Sequence, residues 1–268
     1  MMSLARVYAV ASGKGGVGKS SLTVNLAAAA ASSGHAVGVV DADVYGHSVP
    51  RMLGVSGRPT QERGKIVPPV ARGMKVISIG MLTEGNAPVV LRGPMLHRVL
   101  VQFLTEVYWG DLDVLFLDLP PGTGDVALSV GELLPTAELL VVTTPQRAAA
   151  EVAERAGAVA AQTHQRVAGV VENMSWLPCP HCGEHVAVFG SGGGESVAAA
   201  LTRLLGTPVP VLGRVPLDVR LREQGDVGLP VVLAEPDAPA ARELRAIADR
   251  LVARPRGLAG RRLDLTPG

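Results

Sequence analysis

The sequence predicts an α/β fold, a mostly parallel sheet covered by helices on both faces, and three observations carry that expectation. Short β-branched apolar runs alternate along the chain with Ala-rich stretches, the pattern of strands buried on both sides and joined by crossover helices. Hydrophobic residues make up 47% of the 268 and aromatics only 3%, so a large core must be built mainly from Val, Leu and Ala. The 32 glycines and 20 prolines lie scattered between the apolar runs, which suits many tight loops and not a disordered chain. No linker or repeat divides the sequence, so residues 1–268 are expected to form one domain, with 254–268 as a flexible C-terminal tail.

In order, residues 6–11 read as the first strand, 19–33 as a helix and 35–41 as the second strand. A third strand is expected at 75–79, a helix at 95–107 and a fourth strand at 113–118. Strands at 137–144, 166–172 and 209–214 then alternate with helices at 148–162, 194–205 and 238–253. Three segments break this rhythm: the polar stretch 54–73, the loop 80–94 ending in Arg92-Gly93-Pro94, and 174–194, which holds both cysteines and three consecutive glycines. Loops this long within a compact domain are more often functional than accidental. Each follows a predicted strand, on the edge where open α/β sheets bind ligands.

Charge and composition exclude several classes. With 25 basic against 24 acidic residues, neither a nucleic-acid-binding basic domain nor an acidic tail is indicated. No apolar run reaches the roughly eighteen residues of a membrane span; residues 22–31 are too short and are broken by Asn25. Lys14 and the glycines interrupt the order of a signal peptide, so a cytoplasmic location is the default.

After the first strand comes Gly13-Lys14-Gly15-Gly16-Val17-Gly18-Lys19-Ser20, followed by Ser21 and a helix. This satisfies GxxxxGK[ST] in a strand–loop–helix setting. Its glycines let backbone N–H groups turn toward phosphate oxygens, and the helix start adds partial positive charge. Lys19 is placed to reach the β- and γ-phosphates and the Ser20 hydroxyl to join a Mg²⁺ shell.

Carboxylates complete the predicted nucleotide site. The second strand ends in Asp41-Ala42-Asp43, and alternate strand residues point the same way, so both acids are expected to converge. Asp43 is assigned the attacking water and Asp41 the metal shell. The fourth strand ends its apolar run in Asp118, the form of a Walker B acid that contacts Mg²⁺ through water. The Pro120-Pro121-Gly122-Thr123-Gly124-Asp125 stretch suits a switch loop near the γ-phosphate, with Asp125 either a further site acid or a helix cap.

Cys179 and Cys182 stand in Cys-Pro-His-Cys-Gly. A disulfide at this spacing closes almost nothing, so metal binding or redox chemistry is the better reading. Two thiolates per chain cannot complete a tetrahedral sulfur set; two such loops brought together in a dimer can, for a [4Fe–4S] cluster or for Zn²⁺. Chemistry alone leaves those two metals open. A thioredoxin-like pair fits less well, because the motif sits in a late loop.

The second lysine, Lys14, marks a deviant Walker A loop. With DADVYGHSVPRMLG, RGP, DLPPGTGD, TTPQ, VVENMS, CPHCG and FGSGGGE in order, residues 5–235 resemble the Mrp/ApbC/Nbp-type iron–sulfur cluster carrier ATPases, within the deviant Walker A (SIMIBI) group that includes MinD and ParA. The resemblance implies an ATP hydrolase and homodimer in which Lys14 crosses to the partner's nucleotide. It further implies a [4Fe–4S] cluster bridging the subunits, delivery of that cluster to apo iron–sulfur proteins, and adenine recognition by Asn173, whose amide both donates and accepts. No nucleic acid or membrane partner is implied. The sequence departs from the family's usual residues at His47, Ala127 and Arg147, and no counterpart of the N-terminal domain carried by many relatives is expected within it. Competing readings are a MinD- or ParA-like positioning ATPase without metal, a dimer stapled by structural zinc, and a nitrogenase-like reductase, which needs its cysteines far apart. The apolar stripe Leu244, Ile247 and Leu251 is read as docking on the sheet, and Arg254, Arg256, Arg261 and Arg262 as a solvated tail.

Overall fold

The computed structural model describes residues 5–43, 46–82, 93–122, 125–146 and 149–253. In chain order, β1 (Arg6–Ser12) leads through the glycine loop into α1 (Lys19–Ser32), then β2 (Val37–Asp41) and the short α2 (Val49–Met52). A small hairpin of β3 (Thr60–Glu62) and β4 (Lys65–Val67) precedes β5 (Val70–Ala71) and β6 (Met74–Ser78). Next come α3 (Gly93–Thr105), β7 (Val114–Asp118), α4 (Asp125–Leu133), β8 (Glu138–Thr143), α5 (Ala149–Thr163) and β9 (Val167–Asn173). A second hairpin, β10 (Leu177–Pro178) with β11 (His185–Val186), leads to α6 (Gly193–Leu205), β12 (Val211–Val215), α7 (Val219–Asp226), α8 (Val231–Ala234) and α9 (Pro239–Val252).

The main sheet has eight strands in the order β12-β9-β8-β1-β7-β2-β6-β5. All neighbours are parallel except β5, which pairs antiparallel with β6 at one edge. The chain leaves β1 in one direction to β2 and β6, returns to insert β7, then builds β8, β9 and β12 on the other side. This switch in strand order places a crevice at the C-terminal edge beside β1, where such sheets take their ligands.

Strand alternation divides the core. On β1, Tyr8 and Val10 face the layer containing α1, α8 and α9, while Val7, Ala9 and Ala11 face α3, α4 and α5, as a period of two requires. The Ala27–Ala30 run of α1 is wholly buried, and a helix apolar on nearly every side needs cover from above as well as from the sheet. That cover is α9, whose Leu244, Ile247 and Leu251 are fully buried and pack in the same cluster as α1 and β12. Tyr8 Oη donates to Leu251 O at 2.8 Å beneath it. The stripe therefore docks as its spacing predicts; the arginines beyond residue 253 lie outside the described residues.

The 54–73 segment, expected as an irregular loop, instead forms β3, β4 and β5. Both of its turns run through Arg-Gly pairs with left-handed backbone, Arg63-Gly64 and Arg72-Gly73, the conformation that closes a two-residue hairpin. Helices α2, α4, α7 and α8 are further additions to the expected elements. Of the departures noted in the sequence, Ala127 is buried in α4, His47 packs over Gly80, where a Cβ would meet its ring carbon at 2.1 Å, and Arg147 lies outside the described residues. No helix among the described residues is long and apolar enough to cross a membrane.

Candidate nucleotide site and cysteine hairpin

Five parallel strands deliver their C-terminal ends to one edge: β1 carries the glycine loop, β7 Asp118, β2 Asp41 and Asp43, β8 the Thr144–Gln146 turn and β9 Asn173. The loop cleft is lined by Lys14 to Ser21 together with Ser12, Asp43, Ser48 and Pro121. Gly18 holds a left-handed φ of 82° at the start of α1, and a Cβ there would lie 2.3 Å from Asn173 Nδ2. Glycine is therefore required twice at this position, by conformation and by close approach.

Lys19 and Asp118 are both buried and their charges meet at 2.7 Å. Ser20 Oγ donates to the other Asp118 oxygen at 2.5 Å and Thr23 Oγ1 donates to Asp118 Oδ1 at 2.9 Å. The hydroxyl and carboxylate expected to share a Mg²⁺ shell thus stand side by side, with the Lys19 ammonium holding the local charge balance. Oxygen donors of this kind suit a hard divalent cation.

Asp41 and Asp43 do not converge. Asp43 lines the loop cleft and accepts from Gly46 N at 3.1 Å. Asp41 is fully buried and its carboxyl is taken up by Asp43 N at 3.2 Å, Val49 N at 3.3 Å and Ser78 Oγ at 3.1 Å. The strand ends at Asp41, so alternation no longer governs Asp43, which lies in the following turn. Burial, and then the neighbouring Asp118 charge, raise the Asp41 carboxyl to about 8. Through these bonds Asp41 joins β2, β6 and the start of α2. Asp125 opens α4 with its side chain outside the described set, and the Thr123–Gly124 part of the switch loop lies outside the described residues.

Lys14 Nζ donates to Gln146 Oε1 of the same chain at 2.6 Å. Asn173 is 98% buried; its Nδ2 donates to Val17 O at 2.8 Å, while its Oδ1 has no hydrogen-bond partner. Because Val17 O can only accept, the amide orientation is fixed and an acceptor is left over. Beside it opens a cleft of about 190 Å³ lined by Met52, Met174, Pro216, Leu217 and Leu221, apolar walls of the kind that take a flat base. It adjoins the loop cleft, and Gly18, Ser21 and Met52 belong to both. The sequence reading named Asn173 but missed these walls.

Beyond Asn173 the chain turns through Met174 at φ 58° into the β10–β11 hairpin, whose tip is the cysteine loop. Cys179 N donates to Glu184 O at 2.8 Å and Gly183 N to Cys179 O at 2.9 Å, closing a tight knuckle. Both thiols are free, Cys182 exposed and Cys179 partly so. The backbone N–H groups of Cys182 and His181, with the Cys182 thiol, lower the Cys179 thiol from its ordinary value, and a thiolate is the form that binds metal. Among the described residues no group of three or more His, Cys, Asp or Glu side chains is placed to hold an ion, so His181 and His185 do not complete a site with the cysteines within one chain.

Comparisons with known proteins identify relatives of the chain. Residues 3–252 match the family model described as ParA, NUBPL iron-transfer P-loop NTPase. The chain is 64% identical over 265 residues to the iron-sulfur cluster carrier protein of Mycobacterium bovis, spanning 99% of this chain and 69% of that one. It is 43% identical to the protein of the same description in Escherichia coli, over 92% of this chain and 66% of that one. A nucleotide-binding protein from Archaeoglobus fulgidus, solved with ADP, superposes with a TM-score of 0.72 at 35% identity, over 88% and 90% of the two chains. The MinD cell division protein of Aquifex aeolicus shares the fold, with a TM-score of 0.65 at 21% identity over 94% and 98%.

Proposed function

The chain belongs to the ParA family of NUBPL iron-transfer P-loop NTPases, and from that premise we propose that it is an ATP-dependent carrier of iron–sulfur clusters. It binds and hydrolyses ATP slowly, holds a [4Fe–4S] cluster as cargo between two copies of itself, and passes it to apo iron–sulfur proteins.

ATP takes the edge cleft. The loop from Gly13 to Ser21 wraps its phosphates, Lys19 moves from Asp118 to the β- and γ-phosphates, and Asp43 orients the attacking water. Ser20 and Asp118 are the residues that would hold Mg²⁺, which would supply charge neutralisation on the phosphates. The orphaned Asn173 Oδ1 accepts from a base that presents an amine at position 6; adenine does so and guanine presents a carbonyl there, so the site prefers ATP. Lys14 leaves Gln146 in the dimer and meets the partner's nucleotide, an exchange made easier because its bond to Gln146 is exposed to water.

One observation carries the cargo assignment: two thiols, one of them lowered, sit at an exposed hairpin tip with no third ligand among the described residues. Four thiolates therefore require a second hairpin. Anaerobic reconstitution with iron and sulfide tests this. About two irons and two sulfides per chain in a dimer are expected for one shared [4Fe–4S] cluster. Zinc that resists replacement, or no metal at all, overturns the carrier reading and leaves a positioning ATPase in first place.

A further inference from the structure

The base site and the cysteine hairpin are joined by one buried carboxylate. Glu172 is 98% buried near the end of β9, beside Asn173 in sequence. Its Oε1 accepts from Ser175 Oγ at 2.8 Å and its Oε2 from Gly194 N at 2.6 Å, in the first turn of α6. Ser175 begins the arm of the cysteine hairpin and is itself fixed by its N–H on Val215 O at 2.9 Å. The next residue, Trp176, stacks on His185 across the hairpin with ring centroids 4.7 Å apart. Its carbonyl accepts from the N–H of Leu217, a wall of the base cleft, at 2.7 Å. A Cβ at Gly193 would lie 2.3 Å from Thr144 O, so the same α6 terminus is pressed against the turn that carries Gln146, the partner of Lys14.

We propose that Glu172 is a positioning residue that clasps the cysteine hairpin to the nucleotide site, so that filling the base cleft shifts the hairpin and with it the hold on the cluster. The Asn173 end of β9 touches the phosphate loop at Val17, and Glu172 converts any displacement there into a pull on Ser175 and α6. A buried acceptor with two donors on different elements resists separation of those elements, because losing either donor leaves a buried polar group unsatisfied. The clasp rests on the reading that adenine occupies the base cleft and that Cys179 and Cys182 hold the cargo.

Trp176 supplies a readout that needs no cluster. In a Trp109→Phe background, whose removed indole lies in the opposite core layer, Trp176 is the remaining tryptophan of the two. Binding of Mg²⁺ and a non-hydrolysable ATP analogue should change its emission. Ser175→Ala should abolish that change while calorimetric affinity for the analogue stays near the parent value. Glu172→Gln, whose oxygen can still accept from Gly194 N while its amide donates to Ser175 Oγ, should retain it. In reconstituted protein, the rate of iron loss to a chelator should respond to the analogue at least about fivefold, a modest coupling between sites, and Ser175→Ala should bring that ratio to one. An unchanged Trp176 response in Ser175→Ala, or none in the parent despite calorimetric binding, overturns the clasp alone. Absence of calorimetric binding overturns the nucleotide reading and the clasp with it. Normal emission changes in a chain that takes up no iron refute the cargo reading and leave the mechanical clasp standing.

Discussion

Asn173→Ala should lower ATP affinity about fivefold while lowering GTP affinity by less. The side chain holds two contacts of different kinds. Its Nδ2 donates to Val17 O, and this bond supports the loop whatever base is bound. Its Oδ1 is buried without a partner and, with the 6-position of the base set against it, accepts only from a 6-amino group. A neutral hydrogen bond to that amine is worth about 1 kcal/mol net, which is roughly fivefold in affinity. Guanine sets its O6 lone pairs against Oδ1 and gains nothing from the group being removed. Loss of the Val17 contact strands a carbonyl at about 1–3 kcal/mol of stability, and any weakening it causes falls equally on both nucleotides. The ratio of the two affinities is therefore the diagnostic quantity. Titration calorimetry with the Mg²⁺ complexes of non-hydrolysable ATP and GTP analogues measures it. Equal losses for the two bases would refute base recognition by Asn173 and leave it as a brace for the loop.

Gly18→Ala should remove nucleotide binding more completely than any side-chain truncation nearby. Its left-handed backbone strains an L residue by about 1–2 kcal/mol, and the new methyl would overlap Asn173 Nδ2; retained affinity by calorimetry would contradict this. Cys182→Ser should abolish iron uptake during anaerobic reconstitution and leave nucleotide affinity unchanged; iron at the parent level would sink the hairpin assignment. Lys14→Ala should reduce hydrolysis more than ATP affinity, read by phosphate release beside calorimetry, and equal losses would mark an ordinary same-chain contact. The Asp41 carboxyl titrates at about 8 in the folded protein, against about 3.9 when unfolded. The folded state thus binds the extra proton between those values, and stability falls as pH rises through that window by up to about 1.4 kcal/mol per pH unit. Asp41→Asn should flatten that slope in urea titrations at about pH 5, 6 and 7; parallel slopes would show that Asp41 is ionised in the folded chain.

The parts of the site that the sequence made legible are those contiguous in it. The phosphate loop needs only one strand, one turn and one helix start, and the acid at the end of an apolar strand places Asp118 by itself. The base cleft is different, because Met52, Leu217 and Leu221 come from α2, the β12–α7 turn and α7. The first of these helices is a single turn, and the last buries no residue, so neither leaves a stripe to read. That Asp41 and Asp43 do not converge was not legible, because the strand ends at Asp41 and alternation no longer governs Asp43. The β3–β4 hairpin was missed because its tip is Arg63-Gly64, where the usual Asn-Gly or Asp-Gly signal is lacking, and its first strand is wholly exposed.

The seam between α1 and α9 has a consequence for how the protein is made. The helix that bears the phosphate loop is synthesised well before the surface that covers it, which comes from residues 240–251, and Tyr8 waits for Leu251 O across 243 positions of chain. Contacts of such separation close late, after the loop entropy of everything between has been overcome. On the ribosome the Ala-rich back of α1 is thus exposed to solvent or to a chaperone until nearly the whole described chain has emerged. A nascent chain arrested before α9 should carry a glycine loop of the right sequence without a nucleotide site, because the helix that orients it has nothing to lean on.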